Sequence, residues 1–301
     1  MSHYEHFTLT ETAPGVHAAL AGKSGAAVGN AAIVDTGSKT IVVDTFMTAQ
    51  AAKELRAAAR ALTGRDAYLA INTHWHGDHV GGNQVFADLP IVATRPTLEL
   101  MIADAPADLS AYEAEIDGYL ATFRPKLDSD DEAERALAVR RVAGLEQIKA
   151  AIPGFRLTLP DLLVDGRLVI EGERTVEVLG YGPGHTDSDV FVWLPEEGAV
   201  VAGDLAWNAV HPKIEDGHPA EWATVLDRML ALEPAHVVPG HGRSGGREIV
   251  EAMLPYMRSV VGLLEEVRAG ADPESVAVPP GSGEWDGPAR LHTGLRLLAG
   301  R

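Results

Sequence analysis

Asn72-Thr73-His74-Trp75-His76-Gly77-Asp78-His79-Val80-Gly81-Gly82-Asn83 follows directly on an apolar run at 67–71, and it gathers three histidines and one aspartate into the six positions 74–79. With 12 histidines in the whole chain, chance clustering is a poor explanation. Side chains two apart share a face of an extended strand end but not of a helix, so His74 and His76 can reach one ion together. Past the bend that Gly77 allows, Asp78 and His79 aim at another. The spacing suits two metals better than one. Neutral imidazoles and carboxylates are ligands that zinc accepts, and iron or manganese could sit there as well.

Two adjacent ions need more ligands than this stretch holds. Three later positions offer them, each after an apolar run and each beside glycine: His185 in Gly182-Pro183-Gly184-His185-Thr186, Asp204 in Ala202-Gly203-Asp204, and His241 in Pro239-Gly240-His241-Gly242. Any one alone reads as a loop residue. Together with the first cluster they make four strand-to-loop junctions. In a layered α/β fold, loops at one end of the sheets gather on one edge, so ligands from several strand ends can converge there.

The composition narrows the chemistry further. The chain has 301 residues, 46% hydrophobic and 23% charged, which is ordinary globular usage and excludes disorder and fibres. Lys plus Arg number 25 against 43 Asp plus Glu, a net charge of −18, and so acidic a surface repels phosphate backbones and anionic lipid; nucleic acid and membranes are not expected partners. There is no cysteine, which excludes disulfides, thiolate ligands, iron–sulfur clusters and a Cys nucleophile. Any metal must therefore be held by His, Asp or Glu. The opening Met-Ser-His-Tyr-Glu-His lacks the basic and apolar regions of a signal peptide, and no stretch approaches ~20 apolar residues, so a cytoplasmic, soluble protein is expected.

Along the chain, strand and helix signals alternate. β-Branched runs at 31–34 and 40–43 around Asp35-Thr36-Gly37-Ser38 predict a hairpin. Residues 49–62 predict a helix, with Thr48 as its N-cap and Gly64 as its stop. Strands follow at 67–71 and 91–93, with a helix at about 82–87 between them. Residues 96–155 read as a helical insertion broken at Pro106, Pro125 and Gly144. It is either a solvated spacer or a lid that offers Tyr112, Tyr119 and Phe123 as aromatic surface. Runs at 162–164, 168–170, 175–179, 190–194 and 199–202 predict a meander. Amphipathic helices at 221–232 and 247–269 flank a short apolar run at 236–238, and a tail closes the chain. The expectation is one domain over 1–301, with a C-terminal helix and tail from about 244.

These residues resemble the metallo-β-lactamase superfamily. Its His-x-His-x-Asp-His signature stands at His74, His76, Asp78 and His79, and its later single-ligand motifs follow in order as His185, Asp204 and His241. Asp44, after the run at 41–43, matches the first motif, where an Asp supports the metal loop from behind. The resemblance spans roughly 15–242. It implies an αββα four-layer sandwich with the site at one edge of two packed sheets. It also implies two zinc ions, one on His74, His76 and His185, the other on Asp78, His79 and His241, with Asp204 bridging. A shared water of lowered pKa would then attack an ester, thioester or lactone/lactam-type carbonyl, with Asp78 relaying its proton.

An Asp at 204 instead of Cys is similar to the glyoxalase II-like thioesterases and lactonases, and it disfavours a dedicated antibiotic-resistance enzyme. The resemblance also allows a persulfide dioxygenase-type oxidoreductase with a single iron on His74, His185 and Asp204, and a vestigial member that only binds. For substrate contact the candidates are Trp207, Asn208 and His211, close after Asp204. Trp75 is expected to point away from the metals, and the facing of Tyr181 and the role of His218 stay open. The expected partner is a small-molecule substrate, with a homo-oligomer face available on the 247–269 helix.

Overall fold

Alternating apolar residues draw the N-terminal third into an antiparallel run: β1 (Ser2–His3), β2 (Phe7–Ala13), β3 (Val16–Ala21), β4 (Ala31–Asp35) and β5 (Thr40–Val43). The structure, a computed structural model, describes residues 1–22, 25–105 and 109–301. After β5 the chain enters α1 (Ala49–Thr63), whose start Thr48 caps by accepting from Ala51 N and whose end falls at Gly64, in the left-handed region at φ 71°. The crossover returns to β6 (Leu69–Ile71), parallel to β5. A single turn, α2 (Gly77–Val80), and a 3₁₀ turn at Asn83–Phe86 then lead to β7 (Ile91–Thr94), parallel to β6. Next come α3 (Arg95–Ala103), α4 (Ser110–Phe123) and α5 (Glu132–Ala151), before β8 (Leu162–Val164) pairs parallel with β7 and completes an eight-stranded sheet.

The second sheet has five strands. β9 (Arg167–Ile170), β10 (Val176–Leu179), β11 (Phe191–Leu194) and β12 (Ala199–Trp207) form an antiparallel meander. α6 (Pro219–Leu230) crosses over to β13 (His236–His241), parallel to β12, and α7 (Glu248–Arg268) and α8 (Ala289–Ala299) follow.

The period-two alternation of each strand sorts its side chains between layers. Val34, Ile41, Val43 and Ile71 of the first sheet meet Val176, Val178, Val192 and Val201 of the second. Their neighbours Ile33, Val42 and Ala70 face the other way, onto Ala51, Leu55 and Ala58 of α1. On the far side, Phe191, Val200 and Val237 pack against Trp222, Met253, Met257 and Leu295 of α6, α7 and α8. The order is helix, sheet, sheet, helix, as expected. The helices inserted between β7 and β8 close a small core of their own around Ile116, Leu120, Val142 and Ile152.

Several local expectations are corrected. The helix expected at 82–87 is a single 3₁₀ turn at Asn83–Phe86, separated from α2 by Gly81 and Gly82, which lie so close to the carbonyls of Met47 and Thr45 that a Cβ on either would clash. Gly144 does not break the insertion; it lies inside α5, whose Asp131 cap and uninterrupted ladder absorb one glycine. Residues 162–164 do not join the meander but extend the first sheet. The strand expected to end at Ala202 runs on to Trp207 through register shifts at Gly203, φ 52°. The break expected at Pro106 lies outside the described residues. Among the described residues, no helix is long and apolar enough to cross a membrane.

Candidate metal centre

The loop from Asn72 to Asn83 is closed on itself and tied down. The amides of Asn72 and Asn83 exchange hydrogen bonds of 2.9 and 3.0 Å, while Thr45 N donates to His79 O and Gly82 N to Phe46 O. Asp44 stands behind the loop at φ 60°. Its Oδ1 accepts from Thr73 N at 2.8 Å, and its Oδ2 lies 2.8 Å from both Thr73 Oγ1 and His79 Nδ1. That contact leaves His79 Nε2 facing forward. His74 Nδ1 is likewise occupied, 3.0 Å from Thr73 Oγ1, so its Nε2 also faces forward.

The second sheet supplies the rest. β12 carries Asp204 on its bulge, and β13 ends at His241, with Trp207 paired in register to it. Gly240 allows the approach, since a Cβ there would fall 1.9 Å from Asp204 Oδ1. His185 sits in the loop before β11, held by Thr186, whose N and Oγ1 donate to Asp189 at 2.9 and 2.7 Å. One buried amide joins the two sheets here: Asn30 N donates to Gly240 O, and Asn30 Nδ2 donates to Pro239 O and Gly242 O, while its Oδ1 accepts from Ala21 N.

All seven residues singled out in the sequence converge. His74, His76, His185 and Asp204 form one group, and Asp78, His79 and His241 a second, with the donor atoms of each within 4.8 Å of one another. Asp204 joins the two: its Oδ2 lies 3.3 Å from His185 Nε2 and 3.4 Å from His241 Nε2, and its Oδ1 lies 3.1 Å from His79 Nε2. His74 Nε2, His79 Nε2 and Asp204 Oδ1 are nevertheless buried without a hydrogen-bond partner. Polar atoms that crowd one point without bonding geometry fit divalent cations, as does an all-nitrogen and oxygen donor set. His74, His79, His185 and Asp204 are almost fully enclosed, while His76, His241 and Asp78 keep 12, 16 and 19% of their side-chain surface and face the opening.

Electrostatics divide the histidines by donor group, not by exposure. Burial, then neighbouring imidazoles, hold His74 well below its ordinary value and bring His185 down to about 3, so both stay neutral. Burial would also lower His79, but Asp204, Asp78 and Asp44 outweigh it and raise it well above its ordinary value; Asp204 and Asp78 also outweigh burial at His241 and raise it. Burial pushes up on Asp204 and Asp78, and the surrounding histidines overcome it and hold both carboxyls below the usual range.

Of the proposed substrate contacts, Trp207 stacks on His241 with ring centroids 3.9 Å apart, and its Nε1 donates to Asp204 O. Asn208 Nδ2 donates to Arg243 O. His211 is 1% exposed, with Nδ1 2.9 Å from Tyr256 Oη and its ring against Tyr256 and Trp285, so it belongs to that buried aromatic cluster. Trp75 is half-buried and sets its ring edge on His76. Tyr181 lies against Phe191 and under Arg228, and His218 pairs with Asp187 at 2.7 Å. Sequence reading missed Asn30 and Asp216, whose Oδ2 lies 3.2 Å from His76 Nε2. That hydrogen bond, more than any other influence, brings the Asp216 carboxyl down to about 2.

The model of the metallo-beta-lactamase superfamily matches residues 24–241, most of the chain and all seven of these positions. The chain belongs to the metallo-beta-lactamase superfamily. A beta-lactamase-like protein 2 homolog of Caenorhabditis elegans is 25% identical over 245 residues, 79% of this chain and 65% of that protein. A hydroxyacylglutathione hydrolase of Erythrobacter litoralis is 22% identical over 211 residues, 69% of this chain and 62% of that one. The matched region thus spans just under two thirds of these relatives' lengths. In fold, a metallo-beta-lactamase from Pontibacter korlensis superposes with a TM-score of 0.61 at 18% identity, covering 84% of this chain and 99% of the other. Superfamily members are metal-dependent and typically hydrolases, and the groups above are this member's candidate metal-binding residues.

Proposed function

We propose that this chain is a hydrolase that holds two divalent cations, zinc first among them, and cleaves an ester, thioester or lactone-type carbonyl of a small molecule. The observation that carries the reading is the pair of donor groups joined through Asp204. His74, His76 and His185 would hold one ion, Asp78, His79 and His241 the other, and Asp204 would bridge them. Bound there, the ions would bring a water between them to a pKa near neutrality and polarise the scissile carbonyl.

The chain's own residues do the rest. Asp44 fixes the tautomer of His79, and Thr73 engages the rear nitrogen of His74, so each ring presents one defined nitrogen. Asp78 is the most exposed of the seven candidate ligands, which supports its carboxylate as the group that would take up and pass on a proton at the opening. Among acyl substrates the thioester has a specific support, because the relative from Erythrobacter litoralis is named for hydrolysis of hydroxyacylglutathione.

The test is elemental analysis of protein purified without added metal, alongside His76→Ala, followed by a panel of esters, thioesters and lactones. About two zinc ions per chain, fewer in the variant, with turnover on the panel, is the expected result. About one iron per chain, with oxygen uptake on glutathione persulfide, would overturn it in favour of a dioxygenase.

A further inference from the structure

His76 differs from the other histidines of the centre in where its second nitrogen goes. The rear nitrogens of His74 and His79 are engaged by Thr73 and Asp44, within the loops of the first sheet. His76 Nε2 instead reaches 140 residues along the chain to Asp216 Oδ2, 3.2 Å away in the stretch between β12 and α6. Asp216 Oδ1 lies 3.2 Å from Nη2 of Arg301, just beyond α8. The same stretch is fastened to the C-terminal segment at two further points. Asp286 N donates to Ala209 O and His211 N to Asp286 O, and α8 packs so closely at Gly294 that a Cβ there would fall 2.3 Å from Ile214 Cγ1.

We propose that Asp216 is a positioning residue that selects Nδ1 of His76 as the nitrogen facing the metal. The inference rests on the functional reading above only for what the nitrogen is used for. An ionised carboxylate accepts and cannot donate, so the hydrogen bond places the imidazole proton on Nε2. Nδ1 then turns a lone pair toward His185 Nε2, 3.0 Å away. With its own proton held at Nε2, His76 can only accept at Nδ1, and that lone pair is the one left to a cation. Asp216 therefore keeps a lone pair of His76 turned into the donor group, where His76 would otherwise be free to place its proton. Without Asp216, the proton can shift to Nδ1, donate to His185 and close the group against metal.

Two readouts test this. In metal-free protein, long-range ¹H–¹⁵N correlation of the histidine rings should show His76 as the Nε2–H tautomer in wild type and in Asp216→Asn, which keeps an acceptor. Asp216→Ala should show a mixture or the Nδ1–H form. In zinc titrations against a chelating indicator, Asp216→Ala should weaken one of two ions by about 10- to 100-fold and leave the other unchanged, with Asp216→Asn recovering most of the loss. An unchanged tautomer in Asp216→Ala, or both ions weakened alike together with a lowered metal-free melting midpoint, would overturn the inference. A wild-type chain that takes up no zinc would overturn the functional reading instead, and the tautomer measurement would still decide the role of Asp216.

Discussion

Asp44 is a non-glycine residue in the left-handed region, a conformation that costs of order 1–3 kcal/mol and persists only where its surroundings over-determine it. Here three contacts do so, from Thr73 N, Thr73 Oγ1 and His79 Nδ1. Asp44→Ala removes all three and frees the His79 ring. Metal affinity is expected to fall by about 10- to 100-fold, seen as metal lost from the purified variant, and full retention would refute the role. The seven converging residues were legible because metal chemistry restricts both residue type and spacing, and Asp44 was legible only through its match to the superfamily's first motif. Asp216 was not, since in Glu215-Asp216-Gly217 it reads as ordinary turn chemistry and nothing local points to His76. Nor does sequence tell that Trp207 stacks on His241 while His211 turns to Tyr256: which way a ring rotates is decided by packing between distant elements.

The parallel pair β12 and β13 carries its chemistry through a glycine. A methyl group at Gly240 would meet Asp204 Oδ1 at 1.9 Å and Gly203 C at 2.7 Å, and neither strand can yield without disturbing the ladder. Gly240→Ala is expected to destabilise the fold by about 1–3 kcal/mol and to displace Asp204. A lower thermal midpoint together with reduced metal content is the expected result, and a variant equal to wild type in both would show that the strands are not rigidly spaced. Strands and α1 were readable from periodicity and caps. The errors came where one residue type serves two ends: Gly203 reads as the close of a strand but forms a bulge within it, and Gly144 reads as a break but rides inside α5. Pairing partners are tertiary facts, so nothing in residues 162–164 says that they complete the first sheet.

At the scale of the molecule, the alternation of strand and helix signals pointed only to a layered α/β architecture; the four-layer order came with the superfamily resemblance, and it holds because a sheet with two apolar faces must be covered on both. Donors come from both sheets, so a bound ion would favour the folded state by mass action. At a free metal concentration 100 times Kd that is about 2.7 kcal/mol per site. Chelation is expected to lower the melting midpoint of wild type, and zinc to restore it; a midpoint indifferent to both would refute metal binding at this edge. The shift is expected to leave a folded protein, and Asn30 is the reason. Its single buried amide clasps β3 to both sides of His241 using protein atoms alone. An arriving ion therefore has little chain to order, unlike in a zinc finger that folds around its metal, and less of its affinity is lost to conformational entropy. The same clasp would let an ion depart and another take its place without the edge being rebuilt, so which metal this edge held would be a matter of supply and exchange, not of folding history.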